Sequence, residues 1–215
     1  MADPPEITPE ILVRAYCAGI FPMAESAEDP EIFWVDPEKR GILPLDRFHV
    51  SRSLRKRLLS GLYQFSTDRC FEQVVKNCAD RAQTWINPEI FQLYKQLHRK
   101  GFAHSVEVWR ADALIGGLYG VAVGGAFFGE SMFSKTTDGS KLALIALVAR
   151  LNAGGFQLLD TQFSTAHLVT MGGIEISRNT YQEYLETALE IPADFAALAS
   201  DAPSQELWQL STQTS

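Results

Sequence analysis

The longest apolar pattern in the chain is SKLALIALVARLNAGG, residues 140–155, where apolar side chains fall on almost every face of a helix. A helix with no polar side belongs in the interior, so this one is predicted to run through the centre of the fold and to stop at Gly154 and Gly155. HSVEVWR alternates with period two and predicts a strand. ALIGGLYGVAVGGAFFGESMF predicts two or three strands with glycine-marked turns or bulges, and FQLLDTQ a buried strand. CFEQVVKNCADR and PEIFQLYKQLHRKG have helical apolar spacing, the second closed by Gly101. TAHLVTMGG reads as a short helix and SRNTYQEYLETAL as a final one, capped by Ser177.

Before residue 62 the pattern differs. ITPEILVRAYCAGIF opens with Thr8 as N-cap, Pro9 in the first turn and Glu10 behind it, and Gly19 is placed to end the helix. FPMAESAEDPEIFWVDPEKRGILPL is proline-interrupted and predicts loops with short strands. Ser51 caps SLRKRLLS, a short basic helix that ends at Gly61. The expected organisation is a small N-terminal domain over 1–62, a larger one over 63–195 and a loosely held tail over 196–215. The fold class is α/β (α+β): a mixed sheet flanked by helices, in an order compatible with an acetyltransferase-like arrangement.

Composition adds exclusions. The 215 residues are 46% hydrophobic and 21% charged, ordinary for a folded domain. No segment reaches the roughly 20 apolar residues that span a bilayer, and the acidic start MADPPEITPEIL is unlike a secretory signal. Cys17, Cys70 and Cys78 form no CxxC pair, and the four histidines have no metal-ligand spacing. A reducing, cytoplasmic setting without metal, membrane or DNA is expected. The net charge of −7 is unevenly spread. Residues 1–31 carry seven acids against Arg14, and six acids follow Arg178 with no Lys or Arg among them. Residues 38–57 hold seven bases and two acids, a local +5 that is either a phosphate-binding strip or a solvated face.

The candidate chemistry lies in two strands. Glu130 stands in an otherwise apolar, aromatic or small run, where an unpaired carboxylate costs several kcal/mol. Gln162 is two residues beyond Asp160, so an extended strand points both to one face. Such a set is either a structural polar network or the polar side of an acyl-transfer site. No GxSxG elbow is present and no cysteine neighbours a histidine, which favours direct attack by a second substrate. FSKTTDGSK, ahead of the central helix, has one glycine and is a poor pyrophosphate loop. His104 and His167 are assigned structural roles, and Trp109 to the core.

The stretches AYCAGIFP, WVDPEKRGILPL, HVSRSLRK, TWI, GFAHSVEVW, GGLYGVAVGGAFFGESMFS, SKLALIALV, LLDTQFSTAHLVTMGG and EISRNTYQEYL together resemble the leucyl/phenylalanyl-tRNA–protein transferases over nearly the whole chain. Two departures are Thr161, where many members have Cys, and Met23, where many have Trp. The resemblance implies transfer of Leu or Phe, and less well Met, from charged tRNA to proteins that begin with Arg or Lys, creating a degradation signal. It implies an acetyltransferase-like catalytic domain with no acetyl-CoA or other cofactor. By likeness, Gln162, oriented by Asp160, accepts a hydrogen bond from the attacking amine, and Glu130 holds substrate groups in register. A relay through Asp160, or help from the ribose hydroxyl, would remove the proton. Leu118, Met132, Leu144, Leu147 and Leu159 form the aminoacyl cup, Trp34 and Trp85 flank the terminal adenosine, and Arg52, Arg55, Lys56 and Arg57 grip tRNA phosphates. The competing readings are an acetyl-CoA-dependent N-acetyltransferase and a non-catalytic tRNA-binding module.

Overall fold

The computed structural model describes residues 7–212. Asp3 and Glu6 of the acidic N-terminal run lie outside that span. Helix α1 (Pro9–Cys17) is capped as expected, with Thr8 Oγ1 accepting the Ile11 N–H at 3.4 Å. β1 (Phe21–Met23) and β2 (Phe33–Val35) pair as an antiparallel ribbon. β3 (Lys39–Ile42) follows, then α2 (Arg52–Leu58), β4 (Gln64–Thr67), α3 (Phe71–Ala79) and α4 (Pro88–Arg99). Next come β5 (Ala103–Arg110), β6 (Ala113–Val123), β7 (Ala126–Ser134), α5 (Gly139–Ala153) and β8 (Leu158–Gln162). The chain closes with α6 (Ala166–Val169), β9 (Ile174–Ser177), α7 (Arg178–Leu189) and α8 (Ser204–Ser211).

Among the described residues, seven strands form one mixed sheet in the order β4-β5-β6-β7-β8-β3-β9. All its pairs are antiparallel except β7 with β8. Helix α5 supplies that parallel crossover, which is why its sequence is apolar all round: only Lys141, Asn152 and Ala153 escape burial. It lies so close to the sheet that a Cβ on Gly116 of β6 would sit 2.4 Å from the Gly139 carbonyl carbon. One face of the sheet packs with α5, α2 and α8 around Leu142, Leu147 and Phe127; the other packs with α1, α3, α4 and α7 around Phe128, Tyr94 and Leu185.

Two expectations change. The boundary expected near residue 62 runs through this core. β3 sits between β8 and β9 in the sheet, and Leu54 and Leu58 of α2 share a cluster with Phe65 and Leu147. The tail is not loose over its described part. Arg150, buried in α5, donates to the carbonyls of Phe195 (2.9 Å), Leu198 (2.6 Å) and Ala199 (2.7 Å), and Asn152 Nδ2 donates to Leu210 O at 2.8 Å. A buried guanidinium must find acceptors, and here they are main-chain groups of the tail. Leu207 of α8 completes the cover. No helix of the described residues is long and apolar enough to cross a membrane.

Candidate active site

The parallel ladder of β7 and β8 runs from Ala126↔Leu158 to Phe128↔Asp160. A cavity of about 280 Å³ lies just past its end. On the α5 side it is lined by Leu118, Met132, Leu144, Leu147 and Leu159, the five positions expected to form an apolar cup. The opposite wall is polar and carries Glu130, Ser131, Tyr119 and Gln162, with Arg81 and Trp85 on the α3–α4 loop.

A β-bulge explains how Glu130 comes to face this space. Tyr119 pairs with Ser131 and Gly120 with Gly129, so Glu130 is one residue more than β6 can match. A bulge re-aims the side chain it carries. Glu130 turns toward α1 and α4, where Oε1 accepts from Tyr16 Oη (2.6 Å) and Gln162 Nε2 (3.0 Å), and Oε2 from Tyr94 Oη (2.7 Å). The two tyrosine hydroxyls are themselves 2.5 Å apart. Burial pushes the Glu130 carboxyl up to about 7; the bonds from Tyr16, Tyr94 and Gln162 oppose that shift, and the Asp160 charge adds to it. Burial, helped by the Glu130 charge, raises both tyrosines far above their usual value, so they remain neutral donors.

Asp160 is fully buried and saturated. Oδ1 accepts from Arg40 Nε (2.9 Å) and the Gln162 N–H (2.7 Å); Oδ2 accepts from Arg40 Nη2 (2.6 Å) and Tyr181 Oη (2.8 Å). Arg40 lies between the rings of Phe21 and Tyr181, at 4.6 and 4.5 Å from their centroids, and donates to Gly19 O at 2.9 Å. The extended geometry expected through Gln162 stops at that residue, whose φ is +61°. The bond from its N–H to Asp160 holds that left-handed turn, a conformation unfavourable by roughly 1–2 kcal/mol for a residue with a Cβ. The turn directs the Gln162 amide at Glu130.

The remaining expected residues divide. Trp85 lines the cavity, edge-on to Tyr94, whereas Trp34 lies outside the lining on β2 and Met23 of the paired strand stands in it. Arg52, Arg55 and Lys56 are exposed on α2. Arg55 covers the Trp208 ring at 4.8 Å, and Arg57 pairs with Asp138 at 3.1 Å, which ties the helix to α8 and to the start of α5. Arg40, counted in the basic band, is buried and neutralised by Asp160, so it adds nothing to a phosphate strip. His104 bonds Asp68 Oδ2 at 2.7 Å and stacks on Phe195, away from the cavity. His167, read as structural, lines the cavity; its Nε2 is buried with no partner among the described residues, and burial lowers its pKa.

Sequence reasoning missed Tyr16, Tyr94, Arg40, Tyr181 and Arg81. Tyr94 falls on the apolar face of α4 beside Ile90 and Leu97, where periodicity marks it as core. Only an unpaired carboxylate elsewhere hints that buried tyrosines must serve it.

A cavity past the parallel pair, with apolar side chains on one wall and on the other a buried carboxylate and amide backed by two tyrosines, has the form of a site for an acyl-transferring enzyme. The chain belongs to the leucyl/phenylalanyl-tRNA protein transferase family: that family's model matches residues 42–186, and the model of its N-terminal domain matches residues 5–38. It is 59% identical over 209 residues to the leucyl/phenylalanyl-tRNA–protein transferase of a Ruegeria species, and 57% identical to that of Ruegeria pomeroyi. Each match covers 97% of this chain and 99% of the relative. The Jannaschia protein of the same name is 52% identical, over 93% of this chain and 94% of its own. Among solved structures, "The structure of L-PGS from Bacillus licheniformis" matches with a TM-score of 0.41 and 14% identity, over 89% of this chain and 60% of that one.

Proposed function

We propose that this enzyme moves leucine or phenylalanine, and less well methionine, from charged tRNA to proteins beginning with Arg or Lys, so that the new first residue marks them for degradation. The observation that carries the reading is the Gln162 amide, clamped by Glu130 at the seam between the apolar cup and the polar wall.

The chemistry follows from that clamp. An ionised carboxylate only accepts hydrogen bonds, so Gln162 must offer it Nε2 and keep Oε1 free. Oε1 is then the acceptor for an N–H of the incoming amine, aligning its lone pair with the ester carbon. The aminoacyl ester is already activated, and holding both reactants in line supplies roughly 7–11 kcal/mol of effective molarity. The amine attacks the carbonyl, a C–N bond forms, the C–O bond to the ribose breaks, and the proton lost by nitrogen balances the one gained by the leaving ribose oxygen. An α-amine titrates near ~8, so little help is needed. Glu130, held at about 7, is matched to take that proton. The relay through Asp160 loses its support, because both of that residue's oxygens are committed to Arg40, Tyr181 and the Gln162 N–H. Asp160 is a positioning residue for the Gln162 turn.

The cup of Leu118, Met132, Leu144, Leu147 and Leu159 takes the donor side chain, and the flexible Met132 thioether adapts to Leu, Phe or Met. Trp85 offers a ring to the terminal adenosine, a contact worth ~1–3 kcal/mol, while Met23 occupies the wall where Trp34 was expected. Arg52, Arg55, Lys56 and Arg57 would meet acceptor-stem phosphates, with Arg57 also holding α2 to α5. An acetyltransferase-like course of β7, α5 and β8 is part of the same reading. An acetyl-CoA site at the start of α5 is disfavoured: the Ser140 N–H is already given to Ser134 Oγ at 2.7 Å, and the Asp138 carboxylate stands beside it. The test mixes the protein with leucyl-tRNA and an Arg-starting peptide and looks for the Leu-Arg product by mass spectrometry. Product with that peptide, and none with its Ala-starting counterpart, supports the reading; no product at micromolar enzyme rejects it.

A further inference from the structure

Arg81 is the one Lys or Arg among the described residues that line the cavity, and the basic band of α2 does not account for it. It sits just past α3, where its Nε donates to Cys78 O at 2.7 Å. From there the side chain crosses to β7, and Nη2 donates to Ser131 Oγ at 2.6 Å and to Met132 O at 3.4 Å. The guanidinium is thus fixed beside the cup residue Met132 and one residue from Glu130. No carboxylate lies within ion-pair distance of it among the described residues, and Nη1 has no partner there. Trp85, four residues further along the same loop, lines the same cavity.

The two reactants bring opposite charges to this lip. The acceptor peptide brings a cationic first residue, which an unpaired guanidinium repels. The donor brings an uncharged ester, a nucleoside and, one ribose away from the ester, a phosphodiester anion. We infer that Arg81, through its free Nη1, binds the phosphate on the 5′ side of the donor's terminal nucleoside, while Trp85 on the same loop takes the base. This rests on the transferase reading above. The loop would then read the last nucleotide as a unit, phosphate and base together, apart from the acceptor-stem contacts of α2. A charge-assisted contact to a fixed, planar guanidinium is the kind that sets register as well as affinity.

The probes are two unreactive donors, 3′-deoxy-3′-leucylamido-adenosine with and without a 5′-phosphate, used as competitors of leucyl-tRNA against wild type, Arg81→Met and Arg81→Lys. Wild type should favour the phosphorylated analogue by roughly tenfold or more, Arg81→Lys should keep part of that preference, and Arg81→Met should lose it. In parallel, the slope of log KM for leucyl-tRNA against log salt should become shallower by about 0.7 in Arg81→Met, the change for one single-strand phosphate contact. A guanidinium that only braces α3 against β7 would weaken both analogues equally and leave the salt slope unmoved. No preference in wild type, or a preference that survives in Arg81→Met, overturns the assignment. Should Arg81→Met fail to fold, the wild-type and Arg81→Lys ratios decide the matter. Leucine transfer by the wild type, measured in the same samples, separates failure of this assignment from failure of the transferase reading.

Discussion

Replacing Arg40 by Met tests whether the buried ion pair, and not the strand alone, sets the turn at Gln162. The side chain is 1% exposed, makes a bidentate pair with Asp160, donates to Gly19 O and is flanked by two rings. Met keeps much of the volume but removes every donor, leaving Asp160 buried with its charge uncompensated. Breaking a buried pair in this way costs about 3–5 kcal/mol. For a chain of this size each kcal/mol lowers Tm by about 2–4 °C, so the expected fall is about 6–20 °C by calorimetry. Asp160→Asn should also destabilise, and the double variant should cost less than the sum of the two, by about 1–3 kcal/mol, because the groups are in contact. Transfer should drop in all three, since Asp160 also holds the Gln162 N–H. An Arg40→Met protein within about 1 kcal/mol of wild type, or strictly additive variants, would show that the pair does not hold the turn.

Glu130 keeps its proton up to about 7 when folded but loses it near 4.5 when unfolded, so the native state binds more protons between those values. Stability should therefore fall as pH rises from 4.5 to 7, by on the order of 3 kcal/mol, and Glu130→Gln should flatten that slope in urea titrations while removing the rise in transfer rate near pH 7. Gln162→Ala and Gln162→Gly should lose transfer alike, but the glycine variant should be the more stable by about 1 kcal/mol, because φ at this position is +61°; equal melting temperatures would contradict the strain. Met132→Ala, at a half-buried position, should enlarge the cup and shift the Phe-to-Leu ratio of kcat/KM toward Phe by roughly tenfold. An unchanged ratio would place the side chain elsewhere.

What could be read in the sequence follows from what is local. The strongly periodic segments became the helices and strands expected of them, because an all-apolar α5 has one way to be buried; the alternation of β5 marked a strand but not its burial, since helices on both faces also cover Ser105 and Glu107. The caps at Thr8, Ser51 and Ser177 fell where side-chain oxygens meet free N–H groups. The cup positions were marked by resemblance, whereas Glu130 and the Asp160–Gln162 pair stood out already as polar groups in apolar strands; the cup, Glu130 and Gln162 line one cavity, with Asp160 buried behind Gln162. Long-range partners were not readable. Arg40 looked like a member of a basic strip, because nothing near it shows that Asp160, 120 residues on, will bury it. Tyr16 and Tyr94 read as core aromatics, and only the extra residue in β7 turns Glu130 toward them. Trp34 lies one residue past the strand position opposite Met23, enough to leave the lining.

The role proposed for the Gln162 amide, clamped by Glu130, lies in the chemical step rather than in tRNA capture. Single-turnover transfer at saturating leucyl-tRNA, with binding followed by fluorescence anisotropy on the same samples, tests it most directly. Gln162→Ala should keep tRNA affinity close to wild type and lower the transfer rate by roughly a hundredfold, the range of one oriented polar group in a transition state. A rate equal to wild type, or a loss confined to binding, would contradict it.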